Sequence, residues 1–221
     1  MKEQFNKIKN FQVQYRNPKK ILLFRIPTIN YSSFDIKSRK RSGYSTHQPI
    51  SITTLAANLI KRTDIDVKCV DLEFESVKLI FLRNRIGNIL EELTKKYLLE
   101  FSPDIIGLSV VFSPGIKNGF KVAEISKELL PKSMVVFGGV HCTFDYKNIL
   151  DKSVADAVFL NEADNTLPEF IEFLSGKRSE SDIHGIAFKV NNNINTIPYK
   201  TYPDFQNLPM PAWDMIDIKN Y

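Results

Sequence analysis

Ser133-Met134-Val135-Val136-Phe137-Gly138-Gly139-Val140-His141 opens the stretch, running on to Glu162, that decides how this chain folds. A run of β-branched and aromatic residues ending on two glycines reads as a buried strand that delivers a loop where something approaches the backbone closely. Two further apolar runs end the same way. Ile105 to Val111 breaks into Phe112-Ser113-Pro114-Gly115, and Ala157 to Leu160 breaks into Asn161-Glu162-Ala163. A helical pattern follows each loop, so the three loops open on one edge of a doubly wound sheet, the edge at which such sheets bind ligands.

Outward from this centre the pattern repeats. Lys20 to Ile26 is a near-continuous apolar run suited to a central strand and is stopped by Pro27. The polar loop from Thr28 to Gln48 is long for a compact domain, and is therefore functional or mobile. Pro49 opens a helix whose inward face is Ile52, Leu55, Ala56, Leu59 and Ile60. Val67 to Asp71 is a short strand. Helices are predicted over Ile86 to Phe101, Ile116 to Leu130, Asp145 to Asp151 and Thr166 to Leu174. Such alternation implies parallel strands with right-handed crossovers and helices on both faces. Gly185 to Ile197 reads as a β-hairpin, and Pro203 to Pro211 as a strap anchored by Trp213, Ile216 and Ile218. Residues 1–18 alternate irregularly up to Asn17-Pro18. The expected division is an arm over 1–19, a ligand-binding domain over 20–176, and a hairpin with linker over 177–221.

Composition narrows the class. The chain has 221 residues, 43% hydrophobic and 25% charged with sixteen Phe, a globular profile with enough chain for a proper core. No run spans a bilayer and no leader opens the chain, so a cytoplasmic protein without membrane contact is expected. Residues 1–48 carry eleven Lys and Arg against two acids, and the remainder is net −4. That basic segment lacks the interleaved aromatics of a nucleic-acid stacking platform, so a solvated edge or a surface for a partner domain is favoured over nucleic acid. Cys69 and Cys142 form no C-x-x-C pair, which argues against zinc or an iron–sulfur cluster held by this chain alone.

The loops are short of catalytic groups: no nucleophile elbow, no phosphate loop, no paired acids after the first strand. They offer bare backbone, the hydroxyls of Ser109 and Ser113, the imidazole of His141 and the carboxylate of Glu162. Tyr44-Ser45-Thr46-His47-Gln48 leads into the first helix at the same edge. Such a set suits gripping a large, flat, partly apolar ligand rather than transforming a small one. His141 is either a ligand contact or a loop residue hydrogen-bonded to a neighbouring carbonyl, and Glu162 a ligand contact, a cap or a surface acid. Asp71 reads as a turn acid, because the G-x-G-x-x-G loop that would make it a ribose ligand is absent.

Pro103-Asp104-Ile105-Ile106-Gly107-Leu108-Ser109, Gly138-Gly139-Val140-His141, Asn161-Glu162-Ala163-Asp164-Asn165-Thr166-Leu167 and Leu208-Pro209-Met210-Pro211-Ala212-Trp213-Asp214, in this order, resemble the successive signatures of the amino-terminal cobalamin-binding domain of cobalamin-dependent radical SAM enzymes. The resemblance runs from about Lys20 to Tyr221. It implies a flavodoxin-like, Rossmann-type α/β fold with a doubly wound parallel five-stranded sheet, followed by the hairpin and strap. It also implies cobalamin at the carboxyl edge, contacted by Ser109, Phe112, Ser113, Gly138, Gly139, Val140, His141, Asn161 and Glu162. The family's glycine–glutamate–glycine turn is Asn161-Glu162-Ala163 here. The Asp-x-His-x-x-Gly motif that puts histidine on cobalt in related carrier domains is missing after the first strand, and Asp182-Ile183-His184 matches only its start. No protein His on cobalt is therefore expected. The C-x-x-x-C-x-x-C motif of the radical SAM half is absent, so an iron–sulfur cluster and S-adenosylmethionine are expected only in a following domain in cis, where a methyltransferase-type reaction would occur. The alternatives are an FMN- or nucleotide-binding flavodoxin-like protein, whose phosphate loop would be Pro27 to Ser33, and a degenerate domain kept as an interaction surface.

Overall fold

The computed structural model describes residues 2–37 and 47–221. In chain order the elements are α1 (Lys2–Gln14), β1 (Lys20–Arg25), α2 (Ile50–Arg62), β2 (Asp66–Asp71), α3 (Leu72–Arg83), α4 (Ile89–Phe101), β3 (Ile105–Ser109), α5 (Ile116–Leu129), β4 (Met134–Gly138), α6 (Val140–Asp151), β5 (Ala157–Phe159), α7 (Ala163–Leu174), β6 (Ile186–Val190) and β7 (Asn193–Ile197). Among the described residues the strands form one sheet in the order β2-β1-β3-β4-β5-β6-β7. The first five run parallel, as the alternation of apolar runs predicts. The hairpin is antiparallel and joins the same sheet by pairing β6 with β5.

Successive strand residues serve two cores. Leu22, Phe24, Ile106, Leu108, Val135, Phe137 and Val158 face one layer, which α3, α4, α5 and α6 complete. Ile21, Leu23, Ile105, Met134, Val136, Ala157 and Phe159 face the other, which α1, α2 and α7 complete. Burial on both sides is why these strands read as continuous apolar runs rather than alternating ones.

Several elements differ from the sequence expectation. Residues 2–14, read as an irregular arm, form α1, whose Ile8 and Phe11 are buried, with the following Tyr15, against the second layer, Phe11 meeting Phe170 and Phe188 edge-on. Helix α3 was not anticipated because its buried face mixes Leu72, Val77 and Ile80 with the polar Glu73 and Ser76, which breaks the apolar stripe. Asp71 is the turn acid expected of it: it caps α3, accepting from the N–H groups of Glu73 and Phe74, and pairs with Arg25 at 2.7 Å. Helix α6 starts at Val140, not Asp145, because Gly139 at φ +102° turns the chain straight from β4 into it. Ile60 is half exposed and does not belong to the inward face of α2.

Helix α7 starts at Ala163 and contains Pro168 in its interior. Proline has no N–H, so the carbonyl of Asp164, four residues earlier, loses its helical partner. The side-chain amide of Asn58, on α2, donates to that carbonyl at 2.9 Å. This explains the buried Asn58 of α2 and fixes α7 against α2. No helix among the described residues is long and apolar enough to cross a membrane.

Candidate functional site

Strand order reverses at β1, which has β2 on one side and β3 on the other, so a crevice is expected beyond the carboxyl ends of β1 and β3. A cavity of about 450 Å³ lies there, extended over β4 and β5 and roofed by the first turns of α2 and α7. Its floor is Gly107 and Gly138, on the sheet face that otherwise carries Leu23, Val136 and Phe159. The missing side chain of Gly138 leaves open space, while that of Gly107 makes room for Leu23. Leu23 leans over Gly107, where a Cβ would sit 2.7 Å from Leu23 Cδ2, whereas a Cβ on Gly138 would meet only Phe159 Cβ at 3.9 Å. Gly138 therefore faces the cavity with room to spare.

Gly139 serves another purpose. Its φ of +102° with ψ of 171° is a conformation essentially reserved for glycine, and a Cβ there would lie 2.7 Å from the carbonyl oxygen of Val110. The close approach expected at this glycine pair is thus made, at Gly139, by the chain's own backbone.

Of the nine expected contacts, the cavity brings together Ser109, Gly138, Gly139, Asn161 and Glu162. Ser109 Oγ lies 3.2 Å from Ser51 Oγ on the first turn of α2, a hydroxyl pair at the mouth. Asn161 adopts φ +58°, a left-handed conformation that glycine prefers and asparagine tolerates best of the other residues. Ala163, at the third position of the family's turn, is the first residue of α7 and needs no glycine. Glu162 occupies the N-cap position of α7, but its side chain makes no capping bond and lines the cavity.

Phe112, Ser113, Val140 and His141 do not line this cavity; they sit at the same edge of the sheet, outside it. Phe112 and Val140 are exposed at 56% and 61%, and Phe144, one turn along α6, at 85%. His141 is largely buried; its Nδ1 is 3.1 Å from Ser113 Oγ and its Nε2 is 3.4 Å from Asp145 Oδ2 without hydrogen-bond geometry. Its ring is bonded to the Ser113 hydroxyl and not to a neighbouring carbonyl, the partner its loop reading expected. His184 is buried under Tyr199 and takes no part in the cavity. Tyr44, Ser45 and Thr46 lie outside the described residues.

Sequence reasoning missed part of the lining. Leu55 packs against the second core from the inward face of α2 as expected, and being only half-buried it also lines the cavity. Asp164 lines it too, and burial, aided by the charge of Glu162, raises its carboxyl above the ordinary range. Phe205 and Leu208 of the proline-rich strap close one wall. The strap is held there because the Ala212 N–H donates to the Thr53 carbonyl of α2 at 3.0 Å. Nothing in the strap beyond isolated apolar residues among prolines signals this role.

The family model for the B12 binding domain matches residues 39–171, more than half of the chain. This chain belongs to the B12-binding domain family. The cytidylyl-2-hydroxyethylphosphonate methyltransferase of Streptomyces wedmorensis is 34% identical over 94 residues, 42% of this chain and 18% of that protein. An uncharacterized methyltransferase of Pyrococcus horikoshii is 27% identical over 188 residues, 82% of this chain and 37% of that protein. The solved structure of the cobalamin-dependent S-adenosylmethionine radical enzyme OxsB with aqua-cobalamin bound superposes with a TM-score of 0.66 at 20% identity, covering 89% of this chain and 24% of OxsB. The B12-binding domain described here thus spans well under half the length of each of these proteins.

Proposed function

We propose that this B12-binding domain holds cobalamin at the carboxyl edge of its sheet and serves as the corrinoid module of a radical SAM enzyme of methyltransferase type. The observation that carries the reading is the crevice floored by Gly107 and Gly138 at the point where strand order reverses. Cobalamin is far larger than a 450 Å³ cavity. A narrow slot lined by Leu23, Leu55, Val136 and Phe159 suits the flat apolar base of the nucleotide tail, while Phe112, Val140 and Phe144 offer exposed apolar surface for the corrin ring outside it. When bound, cobalamin supplies a cobalt centre able to accept and release a methyl group; the domain's own residues bind and orient it.

Two observations support cobalt without a protein histidine. The loop after β1 has no Asp-x-His-x-x-Gly motif, and the ring of His141 is held at Nδ1 by the Ser113 hydroxyl, with Nε2 buried. The iron–sulfur cluster and S-adenosylmethionine belong, in this proposal, to a domain following in cis, towards which residues 177–221 lead. The FMN alternative is weakened because Thr28, in the loop after β1, gives its N–H and its hydroxyl to Glu73.

Visible-absorption titration with hydroxocobalamin and cob(II)alamin tests the proposal. The expected result is saturable binding with a spectrum lacking dimethylbenzimidazole coordination to cobalt. Absence of binding at near-millimolar protein, with the fold intact by circular dichroism, overturns it.

A further inference from the structure

The loop Asn161-Glu162 lines the cavity, yet it is short, exposed and built on a left-handed residue, features that by themselves leave a loop poorly defined. Two hydrogen bonds hold it, one from each side. The Asn161 N–H donates to Thr143 Oγ1 at 2.8 Å. The Tyr199 hydroxyl donates to the Glu162 carbonyl at 2.9 Å. Neither Thr143 nor Tyr199 lines the cavity.

We infer that Thr143 and Tyr199 are positioning residues that clamp the Asn161-Glu162 loop in its ligand-binding conformation. Thr143 lies on the first turn of α6, just past the Gly138-Gly139 loop, and its own N–H donates to the Gly139 carbonyl at 3.2 Å. Its hydroxyl is directed back to that carbonyl, at 3.5 Å, while its oxygen accepts from Asn161. One threonine thereby couples the loop after β4 to the loop after β5. Gly139 lies so close to the Val110 carbonyl that a Cβ on it would be 2.7 Å from that oxygen, so Thr143 ties Asn161 to a closely packed segment.

Tyr199 comes from the segment after β7, outside the stretch matched by the family model. Room for its ring is made by Gly185 at φ +65°, where a Cβ would lie 2.5 Å from Tyr199 Cδ2. The Gly185 carbonyl accepts from the Leu160 N–H at 2.8 Å, so the ring is held by the strand end that feeds the loop it clamps. Neutral hydrogen bonds of this kind carry modest stability, but a loop that must be ordered before it can bind passes their loss on to affinity.

The inference rests on the cobalamin reading for its affinity test, and a second readout is independent of any ligand. Thr143→Val keeps the shape and removes the acceptor, Thr143→Ser keeps the acceptor, and Tyr199→Phe removes only the hydroxyl. Hydroxocobalamin affinity is expected to fall about fivefold in Thr143→Val and in Tyr199→Phe, and to stay within about twofold of wild type in Thr143→Ser. Amide hydrogen exchange of a peptide spanning residues 157–165 is expected to be about fivefold faster in Thr143→Val and unchanged in Thr143→Ser, with or without cobalamin. Wild-type affinity and wild-type exchange in Thr143→Val overturn the inference. Failure of the wild-type protein to bind, with accelerated exchange in Thr143→Val, overturns the cobalamin reading and leaves the clamp standing. Should Thr143→Val fail to fold, Tyr199→Phe decides: an affinity about fivefold weaker with exchange of residues 157–165 about fivefold faster supports the inference, and wild-type affinity with wild-type exchange overturns it.

Discussion

The glycine pair after β4 separates folding from binding, and the two residues predict opposite outcomes. At Gly139 any side chain meets both a backbone conformation that costs about 1–3 kcal/mol and a Cβ placed 2.7 Å from the Val110 carbonyl oxygen, an overlap costing a further ~1–3 kcal/mol. Gly139→Ala is therefore expected to destabilise the protein by roughly 3 kcal/mol, lowering the melting temperature by about 6–12 °C in a chain of this size. At Gly138 the backbone is ordinary strand and a Cβ meets only Phe159 Cβ at contact distance, so Gly138→Ala is expected to be neutral or to gain about 0.4–1 kcal/mol from a less flexible unfolded chain. Gly138→Val pushes methyl groups into the crevice. An overlap of ~1–3 kcal/mol with a ligand there weakens hydroxocobalamin binding by roughly 5- to 150-fold while the protein stays folded. Thermal melts and absorption titrations on the three variants read both effects. A Gly139→Ala protein that melts with wild type refutes the strain argument. A folded Gly138→Val protein that binds with wild-type affinity refutes the assignment of the crevice to the ligand.

Asp71→Ala strips two N–H groups at the start of α3 of their acceptor and leaves the buried Arg25 with only the more distant Glu73, 3.5 Å away; urea unfolding should show a loss of about 3–5 kcal/mol, and a loss under 1 kcal/mol would contradict this account of the Arg25–Asp71 pair. Because burial raises the Asp164 carboxyl, the folded protein holds that proton more tightly than the unfolded chain, so Asp164→Asn should be more stable than wild type at pH 7, with the advantage shrinking as pH falls through the raised pKa toward the ordinary value near ~3.9. His184 is shifted the other way, lowered chiefly by burial, so its contribution is intact above its ordinary value of about 6.5 and declines below it, where the unfolded chain protonates first; pH-dependent melts of wild type and His184→Gln should diverge only on the acid side. Leu208→Ala opens the strap wall and should weaken hydroxocobalamin binding several-fold with little change in melting temperature; an unchanged affinity would remove the strap from the site.

The layered parallel fold was legible because burial on both faces of a sheet leaves an unmistakable mark, short apolar runs punctuated by Gly, Pro and polar loops. The same logic brought Ser109, Gly138, Asn161 and Glu162 to one edge from sequence alone, since strands of one direction deliver their loops to one side. What stayed hidden follows from contacts between residues distant in the chain. Helix α3 escaped notice because Glu73 and Ser76 are buried by partners elsewhere, Thr28 and Tyr31, and a polar residue carries no sign of a partner 45 positions away. The carbonyl that Asn58 satisfies, orphaned by Pro168, lies 106 positions along the chain. The cavity itself depends on Gly107 and Gly138 standing on the same sheet face, which is a matter of strand register, and on Phe205 and Leu208 reaching back across α2. Local pattern determines which segments become strands and helices and where their loops emerge. Only tertiary packing decides which side chains meet, because contact energies depend on distance in space, and sequence separation constrains that distance weakly beyond a few residues.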